Sequence, residues 1–413
     1  MKYNWDSVLK EAINRAPMCE SISDLASTLN IPRTTLTSFL NRRGITFADL
    51  LVDASTSGQV TIEKLTLQRS HLEKQVKHLR KQLGKRDWWR DTLLEAAAMM
   101  RPNYVAPPPL EPRAESAQSS VLMVSDVHIG QCTPAEDVGM FGEYNTSIAL
   151  ARFKETFAVF ASITRHQAFP VDAVYVVLLG DLTDHGHLRP GHEGFVDMNP
   201  IKQALEGTNA LIAALSMLAG QFPYVYVIGV PGNHGRVPAD PRRADPTDNF
   251  DWLIYNIAKL ALERQDNIMW NIPGTWYANF EIKGHRFFAI HGEDIISYVG
   301  FPWYGATRAA RDYVAMFRLV RKRRLRRNPP QSVDEYRDME IVPDYALLGH
   351  FHTQANWEAP DVEMMSNGTM PEVSIYGAKR RKTISRSSQR MFFVHQKYGM
   401  AMRCPIILED ITA

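Results

Sequence analysis

VLMVSDVHIG, residues 121–130, is the stretch that decides the fold. Val121 to Val124 form an unbroken apolar run, which reads as a strand buried on both faces in a mainly parallel sheet. The run gives way to Asp126 and His128, two residues apart, and then to Gly130. Side chains two apart on extended backbone point the same way, so a carboxylate and an imidazole are expected to leave the strand's carboxyl end together. Gly130 reads as a turn that could also open toward phosphate. This pairing is half of a metal site, and in open α/β sheets the other half comes from the carboxyl ends of further strands.

Outward from this stretch the chain repeats the arrangement. Val174–Leu179 runs into GDLTD, with Asp181 and Asp184; Val225–Val230 runs into PGNHG, with Asn233 and His234. Phe287–Ile290 ends at His291, and Ala346–Leu348 runs into GHFH, with His350 and His352. Helical patterns near 147–166, 200–219 and 249–263 separate the first strands, so the class is α/β, with a mainly parallel sheet covered by helices. The closer spacing of Trp276–Ile282 and Phe287–Ile290 suggests a mixed or antiparallel half. Singly, a strand-end Asp is usually a helix cap, Asn beside Gly a turn, and a lone His a surface residue. Five such endings in chain order are hard to explain that way.

The series DVH, GDLTD, GNH, His291 and GHFH resembles the calcineurin-like metallophosphoesterase superfamily, whose pattern is DxH, GDxxD, GNH, H and GHxH; the likeness covers roughly Val121 to Asn356. It implies a two-sheet sandwich flanked by helices and two divalent metal ions. Asp126, His128 and His352 would hold the first metal, and Asn233, His291 and His350 the second, with Asp181 bridging. Mixed imidazole and oxygen ligands suit manganese, the expected metal, or iron or zinc, and not calcium. Such a pair lowers the pKa of a shared water and clamps phosphoryl oxygens. The resemblance makes His234 the residue that stabilises the transition state or protonates the leaving oxygen, and Asp184 the carboxylate that orients it. Many members carry an acidic residue after GNH, whereas Gly235 and Arg236 stand here. Arg236 could meet a substrate phosphate or be an ordinary surface arginine.

The superfamily includes protein phosphatases, nucleotide phosphodiesterases and DNA nucleases. DVHIG resembles the SbcD-type repair exonucleases and the small subunit of archaeal family-D DNA polymerase, and GDLTD agrees better with the second. A basic run at Arg318–Arg327 includes Arg321, Lys322, Arg323 and Arg324, and KRRK follows at 379–382. Such clusters attract phosphate backbones, although a solvated helix face is the ordinary explanation. The expectation is a manganese-dependent DNA nuclease. The alternative is a phosphatase or nucleotide phosphodiesterase with a DNA-binding regulatory module. After Asp184, an insert carrying His185, His187, His192 and Glu193 is either a lid or a loop with incidental histidines.

Ahead of this domain, Trp5–Arg15 has helical periodicity, and Ser21–Gly44 resembles a helix-turn-helix DNA-binding unit in which Ile31 plugs between two helices. Arg33, Thr34, Thr35, Ser38, Asn41, Arg42 and Arg43 would face DNA; a helical interaction bundle is the alternative. Ile62, Leu65, Leu72, Val76, Leu79 and Leu83 follow a heptad pattern broken at Arg69, which reads as a coiled coil that could form a homodimer, or as a lone amphipathic helix. The expected divisions are residues 1–57 (helix-turn-helix), 58–100 (coiled coil), 101–120 (a proline-rich spacer) and 121–413 (the metallophosphoesterase domain).

Composition narrows the setting. An apolar fraction of 45% allows a sizeable core, and a net charge of +2 singles out no partner. Cys19, Cys132 and Cys404 are scattered, which disfavours a disulfide framework or a zinc ribbon. The start of the chain has no long apolar core, and no stretch approaches a membrane span, so a cytoplasmic location is expected.

Overall fold

The computed structural model describes residues 4–51, 104–108, 118–185, 192–238, 244–296, 301–327, 341–359, 361–373 and 385–412. The expected coiled coil, KRRK at 379–382 and His187 lie outside them. The chain divides into two units, Met1–Thr92 and Leu93–Ala413.

In the first unit, α1 (Trp5–Arg15), α2 (Ile22–Thr28) and α3 (Arg33–Arg42) enclose a small apolar core. The side chains of Asn4 and Ser21 cap α1 and α2 by accepting backbone N–H groups left without helical partners. Asn30, at φ 54°, turns the chain between α2 and α3, and Ile31 is buried with Leu25, Leu36 and Leu40. Arg33, Thr34, Ser38, Asn41 and Arg42 are exposed, and Thr35 is half-buried. Arg43 folds back instead, 3.2 Å from Asp6 and over the ring of Phe39.

The second unit is built on two sheets. One has the order β11-β10-β1-β2-β3-β4 and the other β5-β6-β7-β9-β8. The strands are β1 (Gln118–Val124), β2 (Val171–Leu178), β3 (Tyr224–Gly229), β4 (Ile268–Asn271), β5 (Tyr277–Ile282) and β6 (His285–Ile290). They continue with β7 (Tyr345–Leu348), β8 (Ala355–Ala359), β9 (Val362–Ser366), β10 (Ser388–His395) and β11 (Gly399–Ile407). β1 to β4 are parallel, as are β6, β7 and β9; β5, β8, β10 and β11 pair antiparallel with their neighbours.

Alternation along β1 shows why the sheets stack. Val121 and Met123 face an inter-sheet core with Val177, Ile228, Phe287, Leu347 and Phe392, while Leu122 and Val124 face the opposite side. There they meet α4 (Thr146–Arg165), α5 (Pro200–Ala219) and α6 (Phe250–Ala261) through residues such as Phe153, Phe157, Leu211 and Leu215. α7 (Trp303–Arg327) covers the second sheet with Ala306, Ala310, Val314 and Phe317, spaced to form one helical stripe. The result is the expected two-sheet sandwich flanked by helices.

β1 begins three residues before Val121. Part of the proline-rich spacer docks on the domain, since the Val105 backbone N–H donates to Gln265 and its carbonyl accepts from the Gln265 amide. Among the described residues no helix is long and apolar enough to cross a membrane.

Candidate metal centre

The carboxyl ends of β1, β2, β3, β6 and β7 deliver every expected ligand to one place, but not on extended backbone. β1 stops at Val124, and Asp126 and His128 adopt φ values of 52° and 51°. Asp181, His350 and His352 are likewise left-handed, at 56°, 68° and 56°. This corrects the reading of two side chains aligned by strand periodicity. Beyond the strand ends the loops bond to one another, with Val127 and His128 N–H donating to the Asp181 carbonyl, and left-handed residues curl the side chains inward. Each such residue costs on the order of 1 kcal/mol, and Asp and His are among the side chains that tolerate the conformation best.

The loops also touch more closely than any side chain permits. A Cβ on Gly180 would lie 2.3 Å from Gly232 N, and one on Gly232 would lie 2.2 Å from Asp181 Oδ1. The glycines of GDLTD and GNH are therefore needed for backbone approach. Gly130 is no opening toward phosphate: its N–H donates to Thr146 Oγ1, and its α-carbon packs against Gln203.

Donor atoms gather in two sets. In the first, His352 Nε2 is 3.3 Å from Asp126 Oδ1 and 3.2 Å from His128 Nε2, which is itself 4.0 Å from Asp126 Oδ1. In the second, His291 Nε2 is 3.1 Å from Asp181 Oδ2, 3.1 Å from Asn233 Oδ1 and 3.3 Å from His350 Nδ1. The structure thus brings Asp126, His128 and His352 together in one group and Asp181, Asn233, His291 and His350 in another. Histidine orientation is set from behind. His291 Nδ1 lies 2.7 Å from the Leu179 carbonyl, which can only accept, so Nδ1 donates and Nε2 is the atom turned inward. His128 Nδ1 lies 3.2 Å from Asp184 Oδ1 and leaves its Nε2 inward in the same way.

Burial and charge are strongly opposed at this site. Burial would raise Asp126, but His352 and His291 hold it down to about 2. Asp181 is also buried, and His291 and His234 hold it well below the usual carboxylate range. Burial and His291 push His350 down to about 3, and burial and His234 lower His128. For His291, burial is overcome by Asp181, which lifts it to about 10. His128 Nε2 and His352 Nε2 lie 3.2 Å apart beside the buried Asp126 carboxylate, a spacing at which one cation could take a lone pair from each ring. The donor set therefore fits divalent metals that accept mixed nitrogen and oxygen ligands.

His234 stands beside these sets. Its Nδ1 is 2.7 Å from Asp184 Oδ1, the same oxygen that backs His128. Burial works against its charge, but Asp181 and Asp184 raise His234 to about 9. Arg236 is no plain surface arginine, since it pairs with Glu293 at 3.2 Å and donates to the Asn233 carbonyl. The insert brings His185 in beside Phe250, with its backbone N–H held by Gln203. Near the end of α7, Lys322, Arg323 and Arg324 are exposed, whereas Arg321 continues the buried stripe one turn beyond Phe317 and is half-buried.

Several supporting residues were not anticipated. Buried Asp251, at the start of α6, accepts backbone N–H groups from Asp181, Leu182 and Gly232, each at 2.9 Å, and so ties two ligand loops together. Its only local signal is a carboxylate just after the helix cap Asn249. Gln389 accepts the Ser125 N–H, Asn367 donates to Ser125 Oγ, and Thr369 donates to the Asp126 carbonyl. Sequence offers no local signal for these three, because their partner strand end is more than 200 residues away.

A family model described as calcineurin-like phosphoesterase matches residues 119–354, and the chain belongs to that family. It is similar to the DNA polymerase II small subunit of Methanothermobacter thermautotrophicus, 23% identical over 258 residues, covering 60% of this chain and 47% of that one. The chain thus spans about half the length of this curated relative. Among solved structures it is similar to an archaeal phosphodiesterase, at 11% identity and TM-score 0.30, covering 70% of this chain and 99% of the other. A hypothetical protein from Pyrococcus horikoshii gives 11% identity and TM-score 0.31, covering 70% and 88%. Vacuolar protein sorting 29 from Cryptosporidium parvum gives 11% and 0.27, covering 70% and 98%.

Proposed function

We propose, from membership of the calcineurin-like phosphoesterase family, that this chain is a metal-dependent phosphodiester hydrolase acting on DNA. The observation that carries the hydrolase part is the meeting of two donor sets with the His234–Asp184 pair at one sheet edge. Asp126, His128 and His352 would hold one ion, and Asn233, His291 and His350 the other, with Asp181 shared. When bound, two divalent ions supply Lewis acidity toward water and the phosphoryl oxygens; manganese suits the ligands, as do iron and zinc.

The chain's own residues do the rest. Leu179 and Asp184 hold the Nδ1 atoms of His291 and His128 from behind, so that the Nε2 atoms of both rings are turned toward the metal positions. His234, its ring held by Asp184 at 2.7 Å, is the residue placed to give a proton to a leaving oxygen.

DNA as the substrate is supported by three features: the polymerase-subunit relative, the basic end of α7, and the exposed polar face of α3. A helix-turn-helix in the first unit would hold DNA near the centre and raise its local concentration. The full chain with manganese should cleave linear DNA as well as a chromogenic phosphodiester. Rapid hydrolysis of the small ester with neither single-stranded nor duplex DNA cut would reject DNA in favour of a phosphatase or nucleotide phosphodiesterase.

A further inference from the structure

Beside the metal centre lies a cluster of aromatic rings that the hydrolysis chemistry does not use. Phe351 sits between His350 and His352 in GHFH, with its ring centroid 5.3 Å from that of His350. Phe301 meets it edge to face at 5.4 Å, Trp303 lies 4.5 Å from Phe301, and Trp357 contacts both Phe301 and Trp303. The row thus runs unbroken from a metal-set histidine to the start of α7. Its outer end is open, with Trp303 54% and the adjacent Tyr304 81% exposed. The start of α7 is pinned beside the His291 loop, because Gly305 packs where a Cβ would lie 2.2 Å from the Ile296 carbonyl oxygen.

α7 continues this surface with charge. Its 25 residues include eight Arg and one Lys against the single acidic residue Asp312. Tyr304, Arg308, Arg311, Arg318 and Lys322 fall within one helical stripe and are exposed, away from the Ala306–Ala310–Val314–Phe317 face. At 1.5 Å per residue, Tyr304 to Lys322 spans about 27 Å. Among the described residues Arg308 and Arg318 pair with exposed Asp312 and Asp361, and such pairs exchange readily for phosphate.

We infer that the aromatic row and the arginine stripe of α7 form a track for single-stranded DNA leading into the metal centre. Bases stack on Trp303 and Tyr304 at the aromatic end, and phosphates follow Arg308, Arg311, Arg318 and Lys322. Charge complementarity and continuity with His350 select this occupant. Stacking selects the single strand, because duplex bases already stack on each other and cannot use the rings. The assignment rests on the DNA reading and adds a strand preference and an entry side.

The test is fluorescence anisotropy of a labelled oligothymidylate and a matched duplex with the full chain in EDTA, where binding is read without cleavage. Trp303→Ala should weaken single-strand binding about 5- to 150-fold, and Trp303→Phe should restore most of it. Arg311→Ala with Lys322→Ala should make the salt dependence shallower by about 1.4 in log–log slope, at about 0.7 per phosphate contact. Tyr304→Ala, at a mostly exposed position, gives a second stacking measurement that does not depend on packing at Trp303. Single-strand affinity and salt slope unchanged across these variants would overturn the track and leave the rings as a protein-docking face. Wild-type chain that binds the single strand but cuts no DNA with manganese would instead overturn the DNA-hydrolase reading and leave the track standing.

Discussion

Asp184→Asn probes the most compact arrangement at the centre, one carboxylate oxygen shared by two imidazoles. Asp184 Oδ1 is 3.2 Å from His128 Nδ1 and 2.7 Å from His234 Nδ1, and both contacts are buried. Asn keeps the shape and an acceptor oxygen but loses the charge. A hydrogen bond to a charged group contributes about 1.5–3 kcal/mol and a neutral one about 1 kcal/mol, so each imidazole loses about 1 kcal/mol, or about fivefold. At His128 the loss is read in metal affinity, where changes behind a ligand range from about 10- to 100-fold. At His234 it is read in proton donation, a contribution worth about 100- to 10,000-fold when removed outright.

The expected outcome is therefore asymmetric. Calorimetric titration with manganese should show the Asp126–His128–His352 set weakened about 5- to 10-fold, with the other set close to wild type. Turnover of a chromogenic phosphodiester at saturating manganese should fall about 10- to 100-fold. A fall in turnover with both metal affinities unchanged would show that the His128 contact contributes nothing. Loss of both metals together with a lowered thermal midpoint would make Asp184 a structural residue. No change in either measurement would refute the shared-carboxylate argument.

Gly232→Ala should abolish high-affinity metal binding, because its Cβ would fall 2.2 Å from Asp181 Oδ1; calorimetry on folded variant checks this. Asp251→Ala leaves three buried N–H groups without their acceptor and should destabilise the second unit by about 3 kcal/mol in urea unfolding, at about 1 kcal/mol or more per orphaned group. Manganese at about 100 times its dissociation constant should add about 2.7 kcal/mol of stability per site, seen as a raised thermal midpoint that EDTA reverses. In the first unit, Asp49 is held below its ordinary value near 3.8 by the Thr46 hydroxyl and backbone N–H. Its contribution is present above pH 3.8 and is lost as pH falls through the lowered folded value; NMR titration should show that midpoint returning toward 3.8 in Thr46→Ala.

What the sequence by itself determined is local and periodic. Apolar runs ending in DVH, GDLTD, GNH, His291 and GHFH were legible as strands with candidate ligands at their carboxyl ends, since burial on both faces leaves an uninterrupted apolar signal. Helical spacing likewise marked α4 to α6 and the core of the first unit, including Ile31. Tertiary structure decided how those ends meet. The left-handed backbone at Asp126, His128, Asp181, His350 and His352 arises from hydrogen bonds between loops of different strands, so strand periodicity misdescribed it. Asp251, Gln389 and Asn367 act on loops far away in the chain, through a sheet order that places β10 beside β1 and joins sequence-distant groups. The shared oxygen of Asp184 is of the same kind. A side chain's neighbours along the chain reveal its own conformation, but which two imidazoles lie within reach of one carboxylate depends on where three separate strands end.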